Sequence, residues 1–147
     1  MRAVIQRALG ASVVVDDQVV GSFDGPGLVA LVGVTHEDTP ALAQRLADKI
    51  YGLRIFTGVD GPEQSAADLG LPLLVISQFT LYADTRKGRR PTWDAAAPRP
   101  VAEPLVEAVI SHLRERGARV STGIFGADMQ VSLINDGPMT IQLEVTD

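Results

Sequence analysis

The chain has 147 residues, of which 46% are hydrophobic and 21% charged, and it carries a formal net charge of −5. This is the composition of an ordinary globular domain, and its acidic balance argues against a DNA-coating protein, because such proteins are basic. It contains no cysteine, which excludes disulfides and thiol nucleophiles, and no membrane-spanning run or signal peptide is apparent, so we expect a cytoplasmic protein without membrane contact.

The first part of the chain predicts three strands and a helix. The stretches "RAVIQRAL", "ASVVVDD" and "GLVALVGV" are rich in β-branched or apolar residues, and the pair Asp16-Asp17 is typical of a turn. In "TPALAQRLADKIYG" the apolar residues Leu42, Leu46 and Ile50 recur at helical spacing. Thr39 is the expected N-cap of this helix.

The rest of the chain returns to strands around a second helix. "LRIF" predicts a short strand, "TGVDGPEQSAADLG" a polar loop and "PLLVISQFTLYAD" another strand. The second helix runs from about Val101 to Gly117, and "ARVST", "MQVSLI" and "MTIQLEV" predict three closing strands. The order predicts a mixed α/β (α+β) fold in one domain, residues 1–147, with β-rich, barrel-like sheets and two covering helices.

The segment "NDGP", Asn135 to Pro138, separates the last two predicted strands. Asn-Gly and Asp-Gly pairs favour hairpin turns, so a hairpin is expected here. The proline that opens the next strand lacks an N–H for the sheet. This indicates either an edge strand or a Gly-Pro peptide that has a function of its own.

Two other stretches combine polar or aromatic groups with an apolar setting. "SQFTL" places Ser77, Gln78 and Thr80 at the end of an apolar strand, with Gln78 and Thr80 on one face. It is either a strand end emerging into solvent or the polar floor of a cleft. "GIFGADM" sets Phe125 and Met129 beside glycines, either as a plug of the core or as a slot for a flat ring such as adenine.

The long segment "TRKGRRPTWDAAAPRP" contains a basic run, "RKGRR", from Arg86 to Arg90. It is either a solvated loop or a local contact for RNA. Motifs of other enzyme classes, such as G-x-S-x-G, H-E-x-x-H and the P-loop, do not occur. His36 and His112 are expected at the surface, so we predict no metal site and no cofactor.

Taken together, these stretches resemble the D-aminoacyl-tRNA deacylase (D-tyrosyl-tRNA deacylase) family. "VIQRALGASVVVDDQVVG", "YGLRIF", "VISQFTLYADTRKGRRP" and "TGIFGADMQVSLINDGPMT" follow the family's order nearly end to end. The resemblance implies hydrolysis of the ester in D-aminoacyl-tRNA or mischarged glycyl-tRNA, as chiral proofreading in translation. It also implies a homodimer that contacts the 3′-terminal adenosine and acceptor stem of aminoacylated tRNA, and no DNA.

The same resemblance implies a substrate-binding set of residues. Gly137 and Pro138 would form a cis peptide whose carbonyls hold the α-ammonium of a substrate bound by the partner subunit. Arg7 would lock that arrangement. Phe125 and Met129 would lie near the adenine.

The resemblance makes Ser77, Gln78, Phe79 and Thr80 the predicted catalytic residues, with backbone N–H groups that stabilise the oxyanion. It supplies no side-chain base, so the RNA's own 2′-hydroxyl and a water would carry the reaction. The chain departs from the family at "GPEQSAADLG", Gly61 to Gly70, where a Lys-Met-Asn-like segment is usual.

Two alternatives stay open. One is a relative with a trans peptide that removes misattached small L-amino acids, against which Arg7 argues. The other is a non-catalytic RNA-binding module of the same fold, such as the editing domains fused to synthetases. An assay for ester hydrolysis separates the second alternative from an enzyme, and L-alanyl-tRNA as substrate tests the first.

Overall fold

The structure is a computed structural model that describes residues 1–58 and 61–147. Its main feature is a five-stranded sheet in the order β6-β5-β2-β1-β7, accompanied by a two-stranded sheet of β3 and β4. The elements in chain order are β1 (Arg2–Val15), β2 (Gln18–Gly33), α1 (Pro40–Gly52), β3 (Arg54–Phe56), β4 (Gln64–Ser65), α2 (Ala66–Leu69), β5 (Leu73–Ser77), a 3₁₀ turn (Phe79–Tyr82), α3 (Arg99–Glu115), β6 (Val120–Thr122) and β7 (Gln130–Glu144).

The mixed α/β class is confirmed, but the five-stranded sheet is open rather than barrel-like, because β6 and β7 form its two edges. β1 pairs antiparallel with β2 and β7, while β5 pairs parallel with β2 and β6. The main core lies between this sheet and the helices α1 and α3. Within the described residues, no helix has the length and apolarity needed to cross a membrane.

The first two predicted strands are one long strand, β1, and not two. Gly10 has a φ of 85° and sits at a shift of register between Leu9 and Ala11, so the chain bends there without ending the strand. The turn predicted at Asp16 and Asp17 is confirmed, with both residues at positive φ between β1 and β2.

The hairpin predicted at "NDGP" is wrong, because "MQVSLI" and "MTIQLEV" belong to the single strand β7. Gln6 pairs with Thr140 and Ala8 with Asn135, so the four β7 residues between these pairs, 136–139, face only Arg7 of β1. The segment therefore bulges out of the ladder at the edge of the sheet instead of reversing the chain. The edge-strand interpretation of the proline is correct in this respect.

Both predicted helices are confirmed. Thr39 caps α1, since its hydroxyl oxygen accepts the N–H of Leu42 at 3.3 Å. The apolar face of α1 buries Leu46 and Ile50. α3 begins at Arg99 and ends at Glu115, two residues before the glycine expected to end it.

The loop predicted for "TGVDGPEQSAADLG" is wrong over its second half, which forms β4 and a third helix, α2. The Ser65 hydroxyl accepts the N–H of Asp68 at 3.0 Å, and the Asp68 carboxylate accepts the N–H of Ser65 at 2.9 Å. These hydrogen bonds lower the pKa of Asp68. The pattern S-x-x-D is a helix-start signal that the sequence already contained. Val59 and Asp60 of the predicted loop lie outside the described residues.

Candidate active site

The "SQFTL" stretch leaves the sheet instead of continuing as a strand. β5 ends at Ser77, and the N–H of Gln78 donates to the carbonyl of Val32 at 2.7 Å before the chain enters the 3₁₀ turn. Gln78 and Thr80 therefore do not share a strand face, and that prediction is wrong. They still meet, because the Gln78 side-chain amide donates a hydrogen bond to the Thr80 hydroxyl.

A cavity of about 280 Å³ opens beside this turn. It is lined by Ser77, Gln78 and Phe79 on one side and by Phe125 and Met129 on the other, with residues of α3 and β2 below. The structure thus brings two separately predicted stretches, 48 positions apart at Ser77 and Phe125 (125 − 77), into one site. Thr80 does not line the cavity, although it holds the amide of Gln78.

Phe125 and Met129 pack against the core and also line the cavity, so the interpretation of "GIFGADM" as a plug of the core is confirmed, whereas the slot for a flat ring stays a prediction. The guanidinium carbon of Arg99 lies 5.5 Å from the centroid of the Phe125 ring, within cation–π range. A β-carbon on Gly123 would collide with the Met129 sulfur. Glycine at position 123 therefore allows Met129 to lie against the backbone.

Few groups around the cavity can exchange protons. Among the described lining residues, Asp128 is the only ionisable side chain, and it is exposed. Asp128 is a site residue that the sequence analysis did not name, although it directly precedes Met129. In the described chain no three His, Asp or Glu side chains gather in a way that would hold a metal ion.

The backbone donors at the turn differ in availability. The N–H of Gln78 is already bonded to Val32. The first N–H groups of a helical turn have no partner within the turn, which applies here to Phe79 and Thr80. Of these two residues only Phe79 lines the cavity, so a developing negative charge there would meet the Phe79 N–H.

Arg7, Gly137 and Pro138 form a second cluster, which does not line the cavity. The Arg7 side chain is 12% exposed and also pairs with the Asp136 carboxylate at 3.1 Å. Its guanidinium donates to the carbonyls of Asp136 at 3.1 Å, Gly137 at 3.2 Å and Ile55. It thereby joins the bulge of β7 to the middle residue of β3.

The Gly137–Pro138 peptide is cis, as the resemblance implied, and both residues are exposed. A β-carbon built on Gly137 would meet no atom within 4 Å. The peptide therefore projects from the edge of the sheet into open space. Within one chain, the structure leaves this cluster separate from the residues that line the cavity.

Comparison with known proteins gives a consistent match over the chain. A family model described as "D-Tyr-tRNA(Tyr) deacylase" matches residues 4–144. The chain is 62% identical over 147 residues to the "D-aminoacyl-tRNA deacylase" of Cutibacterium acnes, covering 100% of this chain and 99% of that protein. It is 63% identical over 145 residues to the protein of that name from Thermobifida fusca, covering 99% and 100%. It superposes with a TM-score of 0.91 on the solved structure of the "c-Myc DNA Unwinding Element Binding Protein", at 36% identity over 100% of both chains.

Proposed function

The chain belongs to the D-Tyr-tRNA(Tyr) deacylase family, and we propose that the cavity beside residues 77–79 is where it hydrolyses the ester of D-aminoacyl-tRNA. The products are a free D-amino acid and tRNA, so the reaction is chiral proofreading in translation. The protein would act in the cytoplasm, where aminoacylated tRNA is used in translation. The observation that carries the assignment is the meeting of the turn after β5 with Phe125 and Met129 at one cavity.

The two sides of the cavity suit the two ends of the substrate. The terminal adenine lies against Phe125 and Met129, where an aromatic side chain can contribute about 1–3 kcal/mol by stacking on a base. The ester carbonyl then faces the turn, and its oxygen accepts a hydrogen bond from the N–H of Phe79, which lines the cavity, as negative charge develops. The N–H of Gln78 takes no part, because it is bonded to Val32 at 2.7 Å.

Water is the nucleophile in this proposal, and the 2′-hydroxyl of the terminal ribose assists it. The Thr80 hydroxyl accepts a hydrogen bond from the side-chain amide of Gln78. Among the described contacts it has no neighbouring base, so it is not activated for nucleophilic attack. The role of Thr80 is to orient the Gln78 amide at the mouth of the site. The adjacent hydroxyl of the RNA assists in place of a side-chain base, and Asp128, the one ionisable side chain among the described lining residues, has no role in this step.

We propose a homodimer in which Gly137 and Pro138 of one protomer complete the cavity of the other. Both residues are exposed and do not line the cavity of their own chain. They lie on β7, an edge strand that also carries Ile134, 65% exposed. The Gly137 carbonyl accepts from Arg7, and its second lone pair is available to the α-ammonium of a substrate.

This arrangement selects for chirality by exclusion. With the ammonium and the ester both held, a D side chain points to solvent and an L side chain points at the Gly137–Pro138 peptide. Apolar pockets discriminate between similar groups by only about 1–3 kcal/mol, so affinity alone would not separate mirror-image substrates. D-tyrosyl-, L-tyrosyl- and glycyl-tRNA should therefore be compared side by side. We expect hydrolysis of the D and glycyl forms only, and equal rates on the D and L forms would contradict the proposal.

Heterodimers test whether the site is composite. One protomer carries Phe79→Ala, which alters the cavity, and the other carries Gly137→Ala, which alters the projecting peptide. With composite sites, one site of the heterodimer has both changes and the other has neither, so about half of the wild-type activity is expected. If each site is instead formed by one chain alone, every site of the heterodimer carries one change. The heterodimer should then be as inactive as the two variant homodimers.

A further inference from the structure

Trp93 is the only tryptophan of the chain, and it is 42% exposed. Its ring contacts Phe79 edge to face, with centroids 5.4 Å apart and planes at 73°. Phe79 is itself 55% exposed and lines the cavity. An exposed aromatic surface therefore extends from the mouth of the cavity outward.

The backbone next to Trp93 is held by side chains of the segment that follows β2. The Thr35 hydroxyl donates to the carbonyl of Ala95 at 2.6 Å, and the His36 ring lies 2.7 Å from the carbonyl of Asp94. Trp93 is therefore held beside Phe79 by anchored neighbours while its own ring stays accessible. Large apolar groups exposed in this way commonly mark a binding surface.

A basic loop, residues 86–90, ends immediately before this aromatic surface. Asp84 and Thr92 close the segment by two backbone hydrogen bonds of 2.9 and 3.0 Å. Arg86 is paired with Asp84 and lowers the pKa of that carboxyl to about 2. The other cations of the loop are exposed and form no ion pair within the described part of the chain: Lys87, Arg89 and Arg90.

We propose that Trp93 and Phe79 form a stacking platform for the unpaired nucleotides that precede the terminal adenosine of tRNA. Lys87, Arg89 and Arg90 then follow the phosphates of the same strand. The inference rests on the proposed function, since it extends the path of the substrate out of the cavity. Proteins that bind single-stranded nucleic acid commonly combine exposed aromatic faces with cations that contact the phosphates.

Charge and position favour RNA over a second copy of this chain as the occupant. The chain is acidic overall, at −5, whereas this loop is cationic. A second copy would bring net negative charge but neither regularly spaced phosphates nor bases. The platform also begins at Phe79, which lines the cavity that receives the esterified end of the RNA.

Activity on two substrates of different length tests the platform. Trp93→Ala and Trp93→Phe are compared on D-tyrosyl-tRNA and on D-tyrosyl-adenosine, which has no preceding nucleotides. For Trp93→Ala we expect kcat/KM on the tRNA to fall about tenfold, mainly through KM, with a several-fold smaller loss on the adenosine ester. Trp93→Phe should recover most of the loss, because a flat ring is restored.

Val19→Ala is the matched control, since Val19 is 63% exposed on β2 and does not line the cavity. An equal loss on both substrates would mean that Trp93 only supports Phe79, and no loss on either would leave the ring without a role; each result overturns the platform. A wild-type protein that hydrolyses neither substrate would instead refute the proposed function.

Fluorescence tests the platform without any reaction, because Trp93 is the sole tryptophan. The protein is titrated with an RNA hairpin that carries no amino acid and ends in four unpaired 3′ nucleotides. The same hairpin with a blunt end is the comparison. We expect quenching by the first and much weaker quenching by the second. Equal responses to the two hairpins would overturn the proposal. So would emission that changes on dilution of the protein without RNA, because Trp93 would then be covered by a second copy.

Discussion

Gly33 offers a direct test of whether the turn after β5 forms the catalytic floor. It is the last residue of β2 and lies against the turn without contributing a side chain. A β-carbon there would lie 2.9 Å from the carbonyl oxygen of Gln78 and 3.1 Å from the β-carbon of Leu81, whereas ordinary contacts begin at 3.4 Å. Gly33→Ala therefore displaces the turn by about 0.5 Å, the difference between 3.4 and 2.9 Å.

The expected magnitude follows from that displacement. The atoms in the way are backbone and a β-carbon, which cannot rotate aside, so overpacking costs about 1–3 kcal/mol of stability. A misplacement of 1 Å can reduce catalysis about 100-fold, so half of that displacement corresponds to a loss of about tenfold. The loss should appear in kcat, because in the proposed mechanism the N–H of Phe79 acts when charge develops on the ester.

Gly52→Ala is the matched control. Gly52 ends α1, and a β-carbon there would meet nothing within 4 Å. Alanine at this position should leave activity unchanged and raise stability by up to about 1 kcal/mol. Deacylation of D-tyrosyl-tRNA and urea unfolding are measured for both variants, with activity assayed far below the unfolding midpoint. A folded Gly33→Ala protein with wild-type kcat would refute the assignment of the turn.

Three further outcomes are expected. Thr80→Ala should retain activity within about tenfold, because it loses one hydrogen bond to Gln78, worth about 1 kcal/mol, and no nucleophile; an aminoacyl ester trapped on Thr80 would contradict this. Combined Arg89→Ala and Arg90→Ala should weaken tRNA binding and reduce the slope of log K against log salt by about 1.4, for two phosphates of a single strand; an unchanged slope would identify a solvated loop. Gly137→Ala should melt at the wild-type temperature, since its β-carbon has open space within 4 Å, yet lose deacylation of D-tyrosyl-tRNA without gaining activity on the L form.

Local sequence patterns predicted the helices well and the strand ends poorly. The spacing of Leu42, Leu46 and Ile50 and the cap at Thr39 depend on neighbouring residues alone, and α1 has those bounds. "NDGP" also carries a strong local signal, but its conformation is set by pairing with β1, more than a hundred positions away. Hydrogen bonds to β1 on both sides of the segment hold it as a bulge, and no local rule contains that information.

The composition of the site was predicted better than its shape. Ser77, Phe79, Phe125 and Met129 were all named from the sequence, and the structure places them around one cavity. Their roles stay predictions. Trp93 was missed because its signal, one tryptophan in a long polar segment, does not reveal whether the ring is buried or exposed.

Among the described lining residues Asp128 is the one ionisable side chain, and this bears on which bonds the proposed site could break. Hydrolysis of an amide needs a proton donor for the leaving nitrogen, whereas the ribose oxygen of an aminoacyl ester is a far better leaving group. In the proposed mechanism, the Phe79 N–H would supply the charge stabilisation and Phe125 the orientation that an activated ester chiefly requires. Because the assisting 2′-hydroxyl of this proposal belongs to the substrate, we expect the site to be complete only when RNA is bound. Free D-amino acid esters lack both the ribose and the assisting hydroxyl, so we expect them to be poorer substrates than aminoacylated RNA.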